Sequence, residues 1–247
     1  MNIIIISGGS SGIGKSCVEK FLQHGDFVYN FDIKDCIEFF NNSKYKYVYT
    51  DVRNHDNIKN SIATVLNNSK TIDILITSAG RHLLANIEET TDKDLMDVLY
   101  INLLGTYWLI QESIPIMKKN NKGRILTIGS DQCTIAKKNS TVYGMTKSAL
   151  LTLTKSVALD YAKNNIRINC IGAGTVDTPL YKNVVRILSN KLGVSQNFIE
   201  EEMANEQPVG RLGKAEDIAE LSYFLTTCKT DFITGALIPI DGGYIAN

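Results

Sequence analysis

The chain has 247 residues, which is enough to bury a large core in one domain. Its 26 basic side chains balance 26 acidic ones and form no basic cluster, so we expect no nucleic-acid partner. The five cysteines are widely spaced without a Cys-x-x-Cys pair, and no apolar run approaches the roughly 18 residues of a membrane span. We therefore expect a reduced, soluble, cytoplasmic protein with no membrane partner.

The first predicted strand runs directly into a glycine-rich turn. Ile3 to Ile6 is an uninterrupted β-branched run, typical of a strand buried on both faces, and Ser7-Gly8-Gly9-Ser10-Ser11-Gly12-Ile13-Gly14-Lys15 follows it. A helix is predicted from Ile13 to about His24. Glycines let the backbone approach a pyrophosphate, and the free N–H groups of a helix N-terminus face its charge. Such a turn alone is often only a tight turn, but its place between strand and helix favours dinucleotide binding.

The second predicted strand, Phe27 to Phe31, delivers Asp32 to its carboxyl end, 18 residues after Gly14. A carboxylate there accepts hydrogen bonds from the adenosine ribose and repels a 2′-phosphate. A solvated strand-end aspartate is the alternative interpretation. The short distance to Asp51 leaves room for only about one helical turn, near residues 36–40, before the next strand.

Strands and helices continue to alternate along the chain. Strands are predicted at residues 45–50 and 72–77, with an amphipathic helix at 54–68 between them. This alternation predicts an α/β fold: a doubly wound parallel sheet, or Rossmann fold, with helices on both faces and a ligand crevice at the strand carboxyl ends. We expect a single domain over residues 1–247.

The second half carries a proton-transfer motif. The apolar run Arg124 to Gly129 reads as a buried strand that ends at Ser130, and a helix is predicted from Thr141 through Lys163. Tyr143 and Lys147 are four residues apart, hence on one face of that helix. A nearby ammonium favours phenolate, so we expect Lys147 to lower the pKa of Tyr143 from about 10. A Tyr-x-x-x-Lys spacing on a helix is common by chance and needs support elsewhere.

That support comes from the order of the motifs, in which the chain resembles the short-chain dehydrogenase/reductases, the NAD(P)-dependent family of roughly 250 residues. The resemblance runs nearly end to end. Its motifs are Gly8, Gly12 and Gly14; Asp51-Val52; Ala79-Gly80; Asn102; Ser130, Tyr143 and Lys147; Gly210-Arg211-Leu212-Gly213 with Glu216-Asp217-Ile218-Ala219; and Thr234-Gly235 with Asp241-Gly242-Gly243.

Two positions depart from the family pattern. Thr77-Ser78 precede Ala79-Gly80 where the family usually has two asparagines, which puts a side-chain contribution to that turn in doubt. Ala173-Gly174 stands where Pro-Gly is usual, so a rigid φ is lost and the loop over the nicotinamide is expected to be softer.

The resemblance implies hydride transfer between NAD(H) and an alcohol or ketone. Tyr143 is then the general acid or base, Ser130 polarises the carbonyl oxygen, and Lys147 binds the nicotinamide ribose. Asn102, within a helix predicted from Asp92 to Lys118, would hold a water that relays protons from Lys147; a polar residue on an exposed helix face is the alternative. The resemblance implies a nicotinamide cofactor, and the Asp32 carboxylate predicts NAD rather than NADP. The residues expected to bind it are Gly8, Ser10, Ser11, Gly12, Ile13, Gly14, Asp32, Asp51, Val52, Ala79, Gly80, Tyr143, Lys147, Gly174, Val176 and Thr178.

The substrate is less defined by the sequence. A polar rim follows the catalytic serine and suits a hydroxylated small molecule better than a long acyl chain, although it equally fits a solvated loop; it comprises Asp131, Gln132, Lys137, Lys138 and Asn139. By resemblance, a segment at about 178–206 covers the substrate and Thr178 hydrogen-bonds the nicotinamide carboxamide. The three histidines show no metal-ligand spacing, so no metal is expected, and only His82 lies near the crevice.

Two further expectations concern the whole molecule. The resemblance and the apolar positions of two long helices, such as Leu99, Leu103, Tyr107 and Trp108, predict a homotetramer. A non-catalytic NAD-binding sensor on the same fold is the rival function, since the fold hosts proteins without turnover. Four intact catalytic residues argue against that rival.

Overall fold

The computed structural model describes residues 1–246, in which seven strands form one parallel sheet. The strand order is β3-β2-β1-β4-β5-β6-β9, and all neighbouring pairs are parallel. A small second sheet pairs β7 with β8. The strands are β1 Ile3–Ser7, β2 Phe27–Asp32, β3 Tyr45–Tyr49, β4 Ile74–Thr77, β5 Gly123–Ile128, β6 Ile166–Ala173, β7 Val176–Asp177, β8 Gly213–Lys214 and β9 Leu237–Ile240.

Helices cover both faces of the sheet, as the alternating pattern predicts. Side chains alternate along a strand, so Ile3 and Ile5 of β1 enter one core while Ile4 and Ile6 enter the other. The first core includes residues of α2, α4 and α5, and the second includes residues of α1 and α8. The helices are α1 Gly12–Gln23, α2 His55–Ser69, α3 Asp92–Val98, α4 Gly105–Lys119, α5 Thr141–Tyr161, α6 Pro179–Leu192, α7 Gln196–Asn205 and α8 Ala215–Thr227.

The strand order reverses direction at the β1–β4 pair. From β1 the chain adds β2 and β3 on one side, then crosses over to add β4, β5 and β6 on the other. Loops leaving β1 and β4 therefore diverge and open a crevice at the carboxyl ends of the strands. The predicted doubly wound fold is confirmed.

Two helical predictions need adjustment. The helix expected from Asp92 to Lys118 is interrupted by a π-helical stretch, Leu99–Leu104, which separates α3 from α4. The helix expected through Lys163 ends at Tyr161 and continues as a 3₁₀ turn. The single turn expected between β2 and β3 is present as Ile37–Phe39. No helix within residues 1–246 has the length and hydropathy needed to cross a membrane.

Candidate active site

The crevice at the strand carboxyl ends has a volume of about 710 Å³ and collects most of the predicted site residues. Three of those residues do not line it: Ser10, Gly14 and Asn102. The predicted residues that do line it are Gly8, Ser11, Gly12, Ile13, Asp32, Asp51, Val52, Ala79, Gly80, Ser130, Tyr143, Lys147, Gly174, Val176 and Thr178. The fold thus brings together predicted site residues that lie up to 170 positions apart in the sequence, from Gly8 to Thr178.

The glycine turn packs so tightly that a side chain is excluded at Gly8 and at Gly14. A Cβ on Gly8 would lie 2.8 Å from the backbone of Ala79, and Gly8 itself has a φ of +71°. A Cβ on Gly14 would lie 2.1 Å from the carbonyl oxygen of Gly8. Gly14 therefore lets α1 approach the turn that follows β1, while Gly8 and Gly12 form the wall of the crevice. Such a backbone cradle at a helix N-terminus fits the phosphates of a dinucleotide.

The carboxylate of Asp32 is held in place by backbone donors. The N–H groups of Ser10 and Lys34 donate to its two oxygens, both at 3.1 Å. The Ser10 hydroxyl donates to the Lys34 carbonyl and accepts from the Asn30 side chain, so Ser10 organises this corner without lining the crevice. Asp32 is consequently a fixed anion at the end of β2, as predicted.

Cations near this end of the crevice are paired with other carboxylates. Lys15 bonds to Glu38 at 2.7 Å, and the guanidinium of Arg53 bonds to Asp51 at 2.7 Å. The Arg53 guanidinium holds the pKa of Asp51 below its ordinary value. In the part of the chain that the structure describes, Lys34 forms no ion pair, so it is the cation that remains free beside Asp32.

The predicted catalytic side chains meet on the other side of the crevice. Tyr143 and Lys147 lie one turn apart on α5, and the Lys147 ammonium is 5.4 Å from the centroid of the Tyr143 ring. Lys147 also donates to the carbonyl of Ile128 at the end of β5, at 2.7 Å. Ser130 follows that strand, and its hydroxyl donates to Asp131 at 2.7 Å. All three side chains line the crevice, with Ser130 and Lys147 almost fully buried.

The expected lowering of the Tyr143 pKa is wrong for this structure. Burial raises that pKa, and the carboxylate of Asp131 raises it further. Burial also lowers the pKa of Lys147. Helical spacing correctly predicted that Tyr143 and Lys147 share one face of α5. The Lys147 ammonium, however, bonds to the Ile128 carbonyl and lies over the Tyr143 ring, so desolvation of the phenol decides the direction of the pKa shift.

Asn102 lies in the π-helical stretch and is 1% exposed, so the exposed-face alternative is wrong. Its side chain accepts from the N–H of Arg81 at 2.8 Å and donates to the Arg81 carbonyl at 3.0 Å. It also donates to the hydroxyl of Thr146 on α5. These bonds tie the loop after β4 to the helix that carries Tyr143.

Several residues of the crevice were not assigned a role from the sequence. The ring centroid of His82 lies 4.4 Å from that of Tyr143, and its Nε2 is 3.4 Å from the Ser140 hydroxyl. Burial, followed by the charges of Lys137 and Lys147, lowers the His82 pKa to about 4, so its ring is neutral near pH 7. The one sequence signal that could have indicated a role for His82 is its position, two residues after the Ala79-Gly80 motif. Apolar residues of α6 and α7 add a wall: Leu180, Val184, Leu188 and Met203.

The predicted contact of Thr178 with the nicotinamide carboxamide stays a prediction. Its hydroxyl accepts from the N–H of Tyr181 and thereby caps α6, and it lines the crevice beside Gly12. Within residues 1–246 no group of three or more metal-binding side chains is found.

A doubly wound sheet with a glycine cradle at one end of its crevice and a serine, tyrosine and lysine at the other is the architecture of a nicotinamide-dependent oxidoreductase. A family model described as enoyl-(acyl carrier protein) reductase matches residues 8–245, and the chain belongs to the short-chain dehydrogenase/reductase family. It is therefore an oxidoreductase that transfers hydride, as its sequence motifs predicted.

Similar proteins act on different substrates. The ligand-free structure of Thermoplasma acidophilum aldohexose dehydrogenase superposes with a TM-score of 0.91 at 31% identity, covering 100% of this chain and 94% of that one. L-fucose dehydrogenase of Mus musculus is 30% identical over 98% of this chain and 87% of its own length. The 3-oxoacyl-[acyl-carrier-protein] reductase FabG of Thermotoga maritima is 28% identical over 98% of this chain and 97% of its own length.

Proposed function

We propose that the protein is an NAD-dependent dehydrogenase or reductase of a small hydroxylated alcohol or ketone. The observation that carries this proposal is the placement of Ser130, Tyr143 and Lys147 in the same crevice as a fixed Asp32 carboxylate. The glycine cradle fits a dinucleotide because Gly8 and Gly12 leave no Cβ between the backbone and the crevice. The bound cofactor supplies a hydride acceptor or donor.

The proposed roles divide the proton chemistry among four residues. Tyr143, which lines the crevice, exchanges a proton with the substrate oxygen. Ser130 orients that oxygen, and Lys147 holds the nicotinamide ribose. Asn102 keeps the loop after β4 against α5 through Arg81 and Thr146. That it also holds a water for the relay of protons from Lys147 is part of the proposal.

The preference for NAD follows from the charge at the end of β2. A 2′-phosphate beside Asp32 would bring like charges together, and two unit charges about 4 Å apart repel by about 4 kcal/mol at an effective dielectric of 20. The positive charge of Lys34 offsets only part of this repulsion, because Lys34 is exposed and water screens its charge. We expect NAD to be preferred at least about tenfold, which needs only about 1.4 kcal/mol of discrimination.

The experiment compares kcat/KM with NAD and with NADP for the wild type, Asp32→Ala and Asp35→Ala. Asp35 carries the same charge three residues away and does not line the crevice, so it is the matched control. The preference should fall in Asp32→Ala and persist in Asp35→Ala. Equal use of both cofactors by the wild type, or an unchanged preference in Asp32→Ala, would contradict the proposal.

The substrate side of the crevice supports a small hydroxylated molecule. Asp131, Lys137 and Asn139 of the polar rim line it together with the apolar wall on α6 and α7. Those two helices belong to the segment 178–206 proposed to cover the substrate. Two relatives are named for sugar substrates and a third for an acyl-carrier-protein substrate. A panel of polyols, aldoses and hydroxyketones against acetoacetyl thioesters separates these classes, and higher kcat/KM on the thioesters would contradict the proposal.

We further propose a homotetramer that works in the cytoplasm. Support for self-association is the exposure of large apolar side chains on the two long helices, where Tyr107 of α4 is 45% exposed and Met145 of α5 is 49% exposed. Support for a reducing compartment is the five unpaired cysteines.

A further inference from the structure

The catalytic serine is bonded to a buried carboxylate that immediately follows it. Asp131 begins the 3₁₀ turn Asp131–Cys133 and is 3% exposed. The Ser130 hydroxyl donates to Asp131 Oδ1 at 2.7 Å and accepts from the N–H of Gln132 at 3.2 Å. Because a serine hydroxyl has a single proton, Asp131 decides where that proton points and leaves one lone pair of the oxygen free.

The second oxygen of this carboxylate is paired with a lysine. Lys137 Nζ lies 2.6 Å from Asp131 Oδ2, and the same ammonium lies 4.3 Å from the centroid of the Tyr244 ring. The aromatic face is a further attractive contact for the cation. Lys137 is therefore held between the turn that follows β5 and the C-terminal turn, Tyr244–Ala246. A buried carboxylate without a paired cation would destabilise the fold, so Asp131 and Lys137 depend on each other.

The ion pair is part of the charge environment of Tyr143. On α5 the nearest ionisable neighbour is Lys147, and across the crevice His82 packs against the ring in its neutral form. Burial raises the pKa of Tyr143, and two groups on the 3₁₀ turn, Asp131 and Cys133, raise it further. Lys137 is the cation paired with Asp131, and Lys138 lies at the exposed rim.

We propose that Asp131 and Lys137 are positioning residues of the catalytic site. Asp131 positions the Ser130 hydroxyl, whose proton turns to the substrate oxygen when that oxygen is bound, and Lys137 neutralises the carboxylate so that its charge does not hold the proton on Tyr143. This inference rests on the proposed role of Tyr143 and adds two residues that act through Ser130 and through the field at the phenol.

A positioning role and a purely structural role of the Asp131–Lys137 pair predict different effects on the pH dependence of turnover. If the pair only fastened the loop of residues 134–140, loss of either partner would lower stability and leave the pH dependence of turnover in place. If the pair sets the field, Asp131→Asn leaves a cation and lowers the Tyr143 pKa, whereas Lys137→Met leaves an anion and raises it. The double variant removes both charges and should return close to the wild type.

The experiment measures kcat/KM for alcohol oxidation against pH in the wild type, Asp131→Asn, Lys137→Met and the double variant. Lys119→Met is the matched control, because Lys119 is an exposed lysine at the end of α4 and does not line the crevice. We expect the profile to move toward acid by about one pH unit in Asp131→Asn and toward alkali by about as much in Lys137→Met. Thermal unfolding of each variant checks that it is folded.

A second readout does not depend on turnover. Protein labelled with ¹³Cζ-tyrosine, with the Tyr143 signal assigned from Tyr143→Phe, is titrated without substrate in the alkaline range. The ionised fraction of Tyr143 at one fixed pH should rise from Lys137→Met to the wild type to Asp131→Asn. Absence of turnover in the wild type would refute the proposed function alone. Profiles or ionised fractions that shift in the same direction in both single variants, or in neither, would overturn the role of the ion pair.

Discussion

Gly14→Ala tests whether the helix after β1 must approach the glycine turn as closely as the structure shows. The added Cβ would lie 2.1 Å from the Gly8 carbonyl oxygen and 2.7 Å from the Gly8 carbonyl carbon. Neither atom belongs to a flexible side chain, so α1 has to move away from the turn by roughly 1 Å or more. Overpacking in a tight site typically costs about 1–3 kcal/mol, and a backbone clash belongs at the upper end of that range.

For a chain of this length, 1 kcal/mol corresponds to a shift of about 2–4 °C in Tm, so we expect Gly14→Ala to melt about 6–12 °C lower. The affinity for NAD should fall at least tenfold, because the N-terminus of α1 forms part of the cradle. The assays are thermal unfolding and calorimetric NAD binding. Gly80→Ala is the control for stability, since its Cβ would meet no atom closer than 3.7 Å. A Gly14→Ala protein that melts within about 2 °C of the wild type and binds NAD normally would refute this reasoning.

Two further predictions concern pH and assembly. Because burial raises the pKa of Tyr143, its phenolate should become more populated toward alkaline pH. The kcat/KM for alcohol oxidation should therefore rise from pH 7 to pH 10, whereas the kcat/KM for carbonyl reduction, which uses the phenol, should not rise. An oxidation optimum near pH 6 would contradict this prediction. Sedimentation at micromolar concentration should give a tetramer, and Tyr107→Glu, which places a charge on the exposed apolar surface of α4, should shift it to smaller species; a wild-type monomer would exclude the proposed assembly.

The fold was predictable because its signals are local. The apolar run Ile3 to Ile6, the glycine turn and the alternation of strands and helices each depend on residues close in sequence, and all three agree on a doubly wound sheet. Asp32 and Ser130 were predictable for the same reason, since Asp32 is the last residue of one buried strand and Ser130 lies two residues after the end of another. Parallel strands carry such residues to one edge of the sheet.

The remaining features depend on tertiary contacts that spacing does not encode. The π-helical stretch around Asn102 accompanies side-chain bonds to Arg81, 21 residues away in the sequence. The Asp131–Lys137 pair requires a loop whose last turn includes Asn139 at a φ of +55°. The direction of the Tyr143 pKa shift depends on burial, which the Tyr-x-x-x-Lys spacing leaves open.

The most direct test of the account is the turnover of Tyr143→Phe, with its NAD affinity measured on the same protein. The substitution removes the proton-exchanging hydroxyl and little volume, so kcat should fall by a factor of about a hundred to ten thousand. NAD affinity should stay within about twofold of the wild type. Tyr161→Phe, at the far end of the same helix, is the matched control and should keep its rate. A Tyr143→Phe protein that retains more than half of the wild-type kcat would contradict the assignment of Tyr143 as the general acid or base.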